Sequence, residues 1–227
     1  MGLPILTLVA IASGRPPAAM AQGATGGGSS YALVDTWRDR PYVPSADRVA
    51  EPVDVTSIAD GGTVVLDARF PATLHVLPGD GGAGTVAPLP LNMQVGRIDA
   101  GPDGTLAILS DPASDNPEVL VVEVDGRVRR RIALPAFEHL DKYTDIAVGA
   151  DGRLYLAEND ATTSEEPDAS ARIVVLKPDG DVDRIVDLHR WLPVDHSLPG
   201  HAHPRIGAID IGPDGGLVAL LKMVGCT

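Results

Sequence analysis

His201 and His203 stand two residues apart in the run His-Ala-His-Pro, with Asp195 and His196 a few residues upstream. In an extended segment, two imidazoles at that spacing reach the same side of the chain and can share a divalent cation such as zinc or calcium. No third ligand follows by spacing, and ordinary loop polarity is the commoner reading of such a pair. Glu158, Asp160, Glu165, Glu166 and Asp168 crowd a second segment. Hard oxygen ligands can hold calcium, yet an acidic segment rich in Ser and Thr is more often simply solvated. Ser57, Ser110 and Ser164 have no spacing to a His and an acid that would build a nucleophilic triad. No G-x-S-x-G elbow, P-loop, G-x-G-x-x-G or H-E-x-x-H is present, so no motif names a cofactor.

What must position these residues is a repeat. Asp-Gly pairs at Asp60, Asp103, Asp151 and Asp214 each follow an apolar segment carrying one acid, such as Ile98-Asp99-Ala100 or Ile209-Asp210-Ile211. A second set, at Asp80, Asp125 and Asp179, follows Leu74-His75-Val76, Leu120-Val121-Val122 and Ile173-Val174-Val175. Successive first pairs are 43, 48 and 63 residues apart. Between them the runs are short, aliphatic or β-branched and alternate with period two, as strands do. Asp-Gly supplies the positive φ of tight hairpin turns, and Pro102, Pro178 and Pro213 preset the residue before. Turn chemistry accounts for these aspartates, because no EF-hand pattern accompanies them. Two hairpins per copy make a sheet of four antiparallel strands, here A to D. Such a sheet cannot bury both faces alone and must stack on its neighbours, so the pattern predicts an all-β propeller. Blades are expected over about 51–90, 96–135 and 143–193, with an incomplete one over 205–227, making about three and a half blades in an open arc.

The residues that open each innermost strand should ring the central channel: Glu51, Arg97, Tyr143 with Asp145, and His203 with Arg205. A ring of mixed charge suits a small polar or anionic ligand, or internal salt bridges. Strand order puts the Asp-Gly turns on one face of the array. The long loops, around 110–117, 134–142, 158–170 and 188–205, then fall on the other face, which is the expected functional surface.

Composition limits the partners. The chain of 227 residues has a formal net charge of −13, a field that repels phosphate backbones, so nucleic acid is not an expected partner. Arg129-Arg130-Arg131 reads as the protection of an edge strand. The single Cys226 allows no intrachain disulfide. Leu3 to Ala12 is an apolar run followed by Ala19-Met20-Ala21, which reads as a signal peptide over 1–21, too short to span a membrane. A Gly/Ser-rich tether over 22–30 follows, and the protein is expected to be secreted or periplasmic.

The strand at Tyr31 to Thr36 with Trp37, the run Glu51-Pro52-Val53-Asp54-Val55, and the run from Asp151 to Ala157 resemble the NHL-repeat proteins and the related gluconolactonase-like propellers. The resemblance covers about residues 31–227. It implies a six-bladed ring, of which Tyr31 to Thr36 would complete the last blade. It also implies a channel metal held by a Glu, two Asn and an Asp. Glu51 matches the Glu, but Arg97, Tyr143 and Arg205 or Ile206 stand where the other three are expected, so that site is expected to be absent. The reading that follows is a propeller that binds or scaffolds a protein, glycan or small molecule. The alternative is a metal-dependent hydrolase or lyase for a lactone-like substrate, using His201, His203 and Glu51, and a weaker third is a sensor domain fused to something further.

Overall fold

The computed structural model describes residues 7–10, 49, 51–80, 82–90, 94–110, 116–135, 142–159, 171–188, 202–212 and 214–225. The strands are β1 (Thr7–Ala10), β2 (Pro52–Ser57), β3 (Thr63–Asp67), β4 (Thr73–Leu77), β5 (Thr85–Pro88), β6 (Val95–Ala100), β7 (Leu106–Ser110), β8 (Glu118–Val122), β9 (Val128–Ala133), β10 (Lys142–Val148), β11 (Leu154–Asn159), β12 (Ala171–Leu176), β13 (Val182–Asp187), β14 (Ala202–Ile211) and β15 (Leu217–Gly225). Three antiparallel sheets run β2-β3-β4-β5, β6-β7-β8-β9 and β10-β11-β12-β13, and a fourth runs β1-β15-β14. No α-helix occurs among the described residues.

Each sheet begins with a hairpin closed by Asp-Gly. The glycines at 61, 104, 126, 152, 180 and 215 all have positive φ, from 77° to 98°, where a side chain would clash with its own backbone. The preceding aspartate does the rest. Its Oδ1 accepts the N–H two residues on, as Asp103 does from Thr105 at 3.1 Å and Asp214 from Gly216 at 2.9 Å. The same bond recurs at Asp60, Asp80, Asp125, Asp151 and Asp179. These carboxylates are therefore turn closures.

The sheets stack in order, each burying one face on the next. Between the first and second lie Leu66, Leu74, Ile98 and Ile108, between the second and third Leu109, Ile132, Ile146 and Leu156, and between the third and fourth Ile173, Val175, Ile209 and Leu221. Removing each such side chain from water stabilises the stack by about 1.5–3 kcal/mol. The inner strands β2, β6, β10 and β14 pack side by side, and β2 and β14 end the arc. On the incomplete fourth sheet Leu221 is buried against the third sheet, whereas Leu220 on the opposite face is 38% exposed. Alternation along β15 explains the difference. The outer strand β9 carries two of its three arginines in ion pairs, Arg131 with Glu118 at 2.7 Å and Arg129 with Glu123, which suits an edge.

Thr7–Ala10, within the apolar run read as a leader, pairs in parallel with β15 over Val218 to Leu221. The segment Tyr31 to Thr36, expected to complete a blade, lies outside the described residues.

Candidate functional site

All four inner strands carry the same irregularity. The ladder slips between Pro52 and Asp54, Val95 and Arg97, Tyr143 and Asp145, and Ile206 and Ala208. A β-bulge at one rung of each inner strand reverses which face the residues on either side of it present. Val95, Tyr143 and Ile206 consequently turn into the core between sheets. Beyond the bulge, the alternate positions turn to the channel.

Rungs are conveniently counted back from the aspartate of each A–B turn. Rung six holds Asp54, Arg97, Asp145 and Ala208, and rung four holds Thr56, Asp99, Ala147 and Asp210. The acids thus alternate in height from one inner strand to the next, and the first three join their own strand to the following one. Asp54 Oδ1 accepts the N–H of Val55 at 2.9 Å, and its Oδ2 accepts that of Ile98 on the next strand at 2.9 Å. Asp99 takes Ala100 N–H at 2.8 Å and Val148 N–H of the following strand at 2.7 Å. Asp145 receives the N–H of Ile209 on β14 at 2.7 Å and that of Ile146 beside it. Asp210 accepts Ile211 N–H at 2.7 Å on its own strand. These N–H groups lie on the edge of the inner strand facing away from its hairpin partner, and without an acceptor each would cost about 1–3 kcal/mol. The carboxylates are struts between blades.

Arg97 completes the bracing. Its Nε donates to the Thr144 carbonyl at 3.0 Å and its Nη1 to the Val53 carbonyl at 3.2 Å, both oxygens of bulged residues, and Nε lies 3.8 Å from Asp145 Oδ1. One guanidinium therefore joins the first and third inner strands across the second. Burial pushes the Asp99 carboxyl above its ordinary value, against the bonds from Val148, Ala100 and Thr56, and pushes Asp145 up likewise, against Ile209, Ile146 and Arg97. The two residues face a cavity of about 550 Å³ that Asp54, Thr56, Ser57 and Asp210 also line.

The ring expected from sequence is not a single level. Glu51 and Arg205 stand nine residues before their turn aspartates, Tyr143 eight, and Arg97 and Asp145 six. Glu51 and Arg205 are exposed. The Glu51 N–H donates to Asp67 Oδ1 at 3.1 Å, so its backbone is anchored while its carboxylate faces solvent. Tyr143 is 3% exposed in the core between the second and third sheets, its hydroxyl donating to the Pro135 carbonyl at 3.2 Å. Arg97 and Asp145 are the pair the structure brings together. His201 lies outside the described residues, and His203 is placed near the start of β14. Among the described residues no three His, Cys, Asp or Glu side chains are placed to hold a metal ion.

Two further polar devices lie at the loop end of the third sheet. Asn159 clamps β14, its Oδ1 accepting the Ile206 N–H at 2.7 Å and its Nδ2 donating to the Ile206 carbonyl at 2.9 Å. Glu158, read from sequence as part of a solvated acidic loop, is instead fully buried 2.9 Å from Arg172 Nε. In the first sheet His75 and Asp67 form a buried pair at 3.6 Å, with the Thr73 hydroxyl 3.3 Å from the same imidazole nitrogen.

Radially stacked four-stranded antiparallel sheets around a channel define the fold as a β-propeller arc. No family model matches the chain, and no curated protein matches it. Solved structures that it is similar to include a protein of unknown function from Bacteroides caccae, at 14% identity and TM-score 0.42, covering 74% of this chain and 52% of that one. A streptogramin B lyase is 15% identical with TM-score 0.40, covering 76% and 65%. Virginiamycin B lyase from Staphylococcus aureus is 16% identical with TM-score 0.44, covering 78% and 68%. The chain spans 52% to 68% of the length of these structures. At such identities the chemistry of this chain rests on its own residues.

Proposed function

We propose that the chain is a binding or scaffolding portion of an exported NHL-like β-propeller, whose loop-bearing face engages a protein, a glycan or a small polar molecule. The commitment of the channel acids supports this reading. Asp54, Asp99 and Asp145 each hold backbone N–H groups of two neighbouring strands. A carboxylate fixed in that way is poorly placed to shuttle protons or to ligate a cation, since either task would release the blades it joins. Function then falls to the variable segments joining the second strand to the third and the fourth to the next blade, with Glu51 and Arg205 at their feet.

A glycan array and a thermal-shift screen of small polar metabolites, run on the chain and on a variant with 195–203 replaced by Gly and Ser, test the proposal. A ligand bound by the first and lost from the second, at an unchanged melting temperature without ligand, is the expected result. Stoichiometric calcium or zinc at micromolar free metal, abolished by His201→Ala or His203→Ala, would replace it with a metal-dependent hydrolase or lyase acting on a lactone-like substrate.

A further inference from the structure

One cross-strand row recurs in the three four-stranded sheets, on the face that packs against the next sheet. In the first sheet its outer three strands place Val64, Val76 and Thr85 side by side. The same register places Ala107, Val121 and Arg130 together in the second, and Tyr155, Val175 and Arg184 in the third. The residue on the second strand decides how far the junction is filled. Val64 is fully buried in the first junction, and the Tyr155 ring, 8% exposed, fills the third. The second junction receives only the methyl of Ala107. Beside it, against Val121 and Leu154, lies a cavity of about 360 Å³ whose rim on the turn face carries Pro102 and Pro178. The two sheets that form it each have a described sheet on both sides, so this junction is interior to the arc.

The charges around this cavity leave one cation over. Asp103 and Asp151 both stand at the rim, but each carboxylate has a guanidinium beside it, Arg129 at 3.6 Å from Asp103 and Arg153 on Asp151. Asp103 Oδ1 also accepts the Thr105 hydroxyl at 2.6 Å. Arg130 lines the same cavity, is exposed, and is the arginine of β9 without a partner among the described residues. A cavity of this volume, apolar inside and polar at one point of its mouth, has the make-up of a small-molecule site.

We propose that the junction of the second and third sheets binds a free aromatic carboxylate from the turn face. Its ring lies over Ala107 against Val121 and Leu154, where the row of the next sheet carries the ring of Tyr155. Its carboxylate meets the Arg130 guanidinium, whose planar fork matches two carboxylate oxygens. Shape selects the ring, since an aromatic group supplies the contacts that a methyl leaves unmade. Charge selects the acid, since the carboxylates already at the rim are neutralised by their own arginines. The site lies on the face opposite the long loops, so it does not depend on which ligand the loop face takes.

Titration of para-fluorophenylacetate into the full chain, followed by fluorine NMR, tests it. Saturable binding with a dissociation constant of about 1 mM or tighter is expected for a ligand of this size. The matching amine, para-fluorophenethylamine, should bind about tenfold more weakly or worse, and Arg130→Gln should weaken the carboxylate by about tenfold or more, the loss of one bond between charged groups. Ala107→Tyr should abolish binding, because the chain then supplies the ring itself. If Ala107→Tyr fails to fold by circular dichroism, Ala107→Val, which sets the residue type of the first sheet in the same row, takes its place and should weaken binding. The variant with 195–203 replaced by Gly and Ser should bind as the parent chain does, which separates this site from the loop face. No saturation by about 20 mM ligand, an amine as tight as the acid, affinity indifferent to Arg130→Gln or to the larger side chain at 107, or loss of binding on replacing 195–203 would each overturn the proposal.

Discussion

The middle of the arc and its two ends are built from the same repeat and differ in whether another described sheet stacks on them. At rung five, Ile98, Ile146 and Ile209 are buried to 7% or less while Val55 is 58% exposed. At the channel, Asp99 and Asp145 hold two strands each while Asp210 is bonded to its own. Residues of like type at equivalent positions, β-branched aliphatics at rung five and aspartates at the channel, thus carry different energies. In a stacked array a side chain's contribution is set by its place in the row as much as by its sheet.

Substitutions at paired positions make that difference measurable. Ile146→Ala should cost about 2–4 kcal/mol by chemical denaturation, from lost transfer energy and the cavity left behind. Val55→Ala should change stability by less than about 0.5 kcal/mol at concentrations where the chain is monomeric. Equal effects would mean that β2 is covered and that the ends are not open.

The struts give the next contrast. Asp145→Asn keeps one acceptor but turns an amide NH2 toward a backbone N–H, so it should cost about 1–3 kcal/mol. Asp210→Asn, exposed and half engaged, should fall within about 0.5 kcal/mol. Thermal melts of the two variants beside the parent chain check both.

Turn glycines sharpen the comparison further. Gly215→Ala meets nothing within 4 Å and pays backbone strain alone at φ 77°, about 1 kcal/mol. Gly180→Ala at φ 98° also sets its methyl 2.9 Å from Ile132 Cγ2 of the neighbouring sheet and should cost more. That second penalty belongs to the outer turns, which press on the preceding sheet as Gly126 also does on the Pro88 carbonyl, and not to the inner ones, since Gly104 in the middle of the arc also meets nothing within 4 Å.

The smallest effect is in pH. Asp99 and Asp145 have folded values raised above 3.8 by burial, so between 3.8 and those values the folded state binds more protons than the unfolded one. Their contribution to stability therefore rises as pH falls through that window. Asp103 on the turn face behaves oppositely: the Thr105 hydroxyl and N–H hold it below 3.8, so the stability it adds above 3.8 is lost as pH falls through its folded value. Melting curves from pH 7 to 3 should show the gap between Asp145→Asn and the parent chain widening on acidification above 3.8, and the gap for Asp103→Asn closing below it.

The fold was legible because its signals are local. Asp-Gly demands a hairpin wherever it stands, and period two between such pairs leaves only strands. The channel was less legible because the bulge intervenes. Counting by twos from Asp145 puts Tyr143 on the same side, whereas the slip between them sends Tyr143 into the core. Nothing in Val53, Gly96, Thr144 and Gly207, the bulged residues, marks them as a class. The struts did leave a trace, a lone acid inside each apolar inner strand. Its meaning needed the neighbouring strand, which lies more than forty residues away. The loop face was placed by strand order, but His201 lies beyond the described residues and the Glu158 carboxylate turned inward to Arg172.

The alternation of the acids between rung six and rung four has a consequence of parity. Blades of the two kinds interlock only with each other. Two blades with acids at rung six, set side by side, would aim two carboxylates at one N–H and leave the rung nearer the turn with none. A ring closed by these struts must therefore contain an even number of blades. Its true unit of duplication is the pair, so a designer who copies one blade of this protein indefinitely would build a ring that cannot mate with itself.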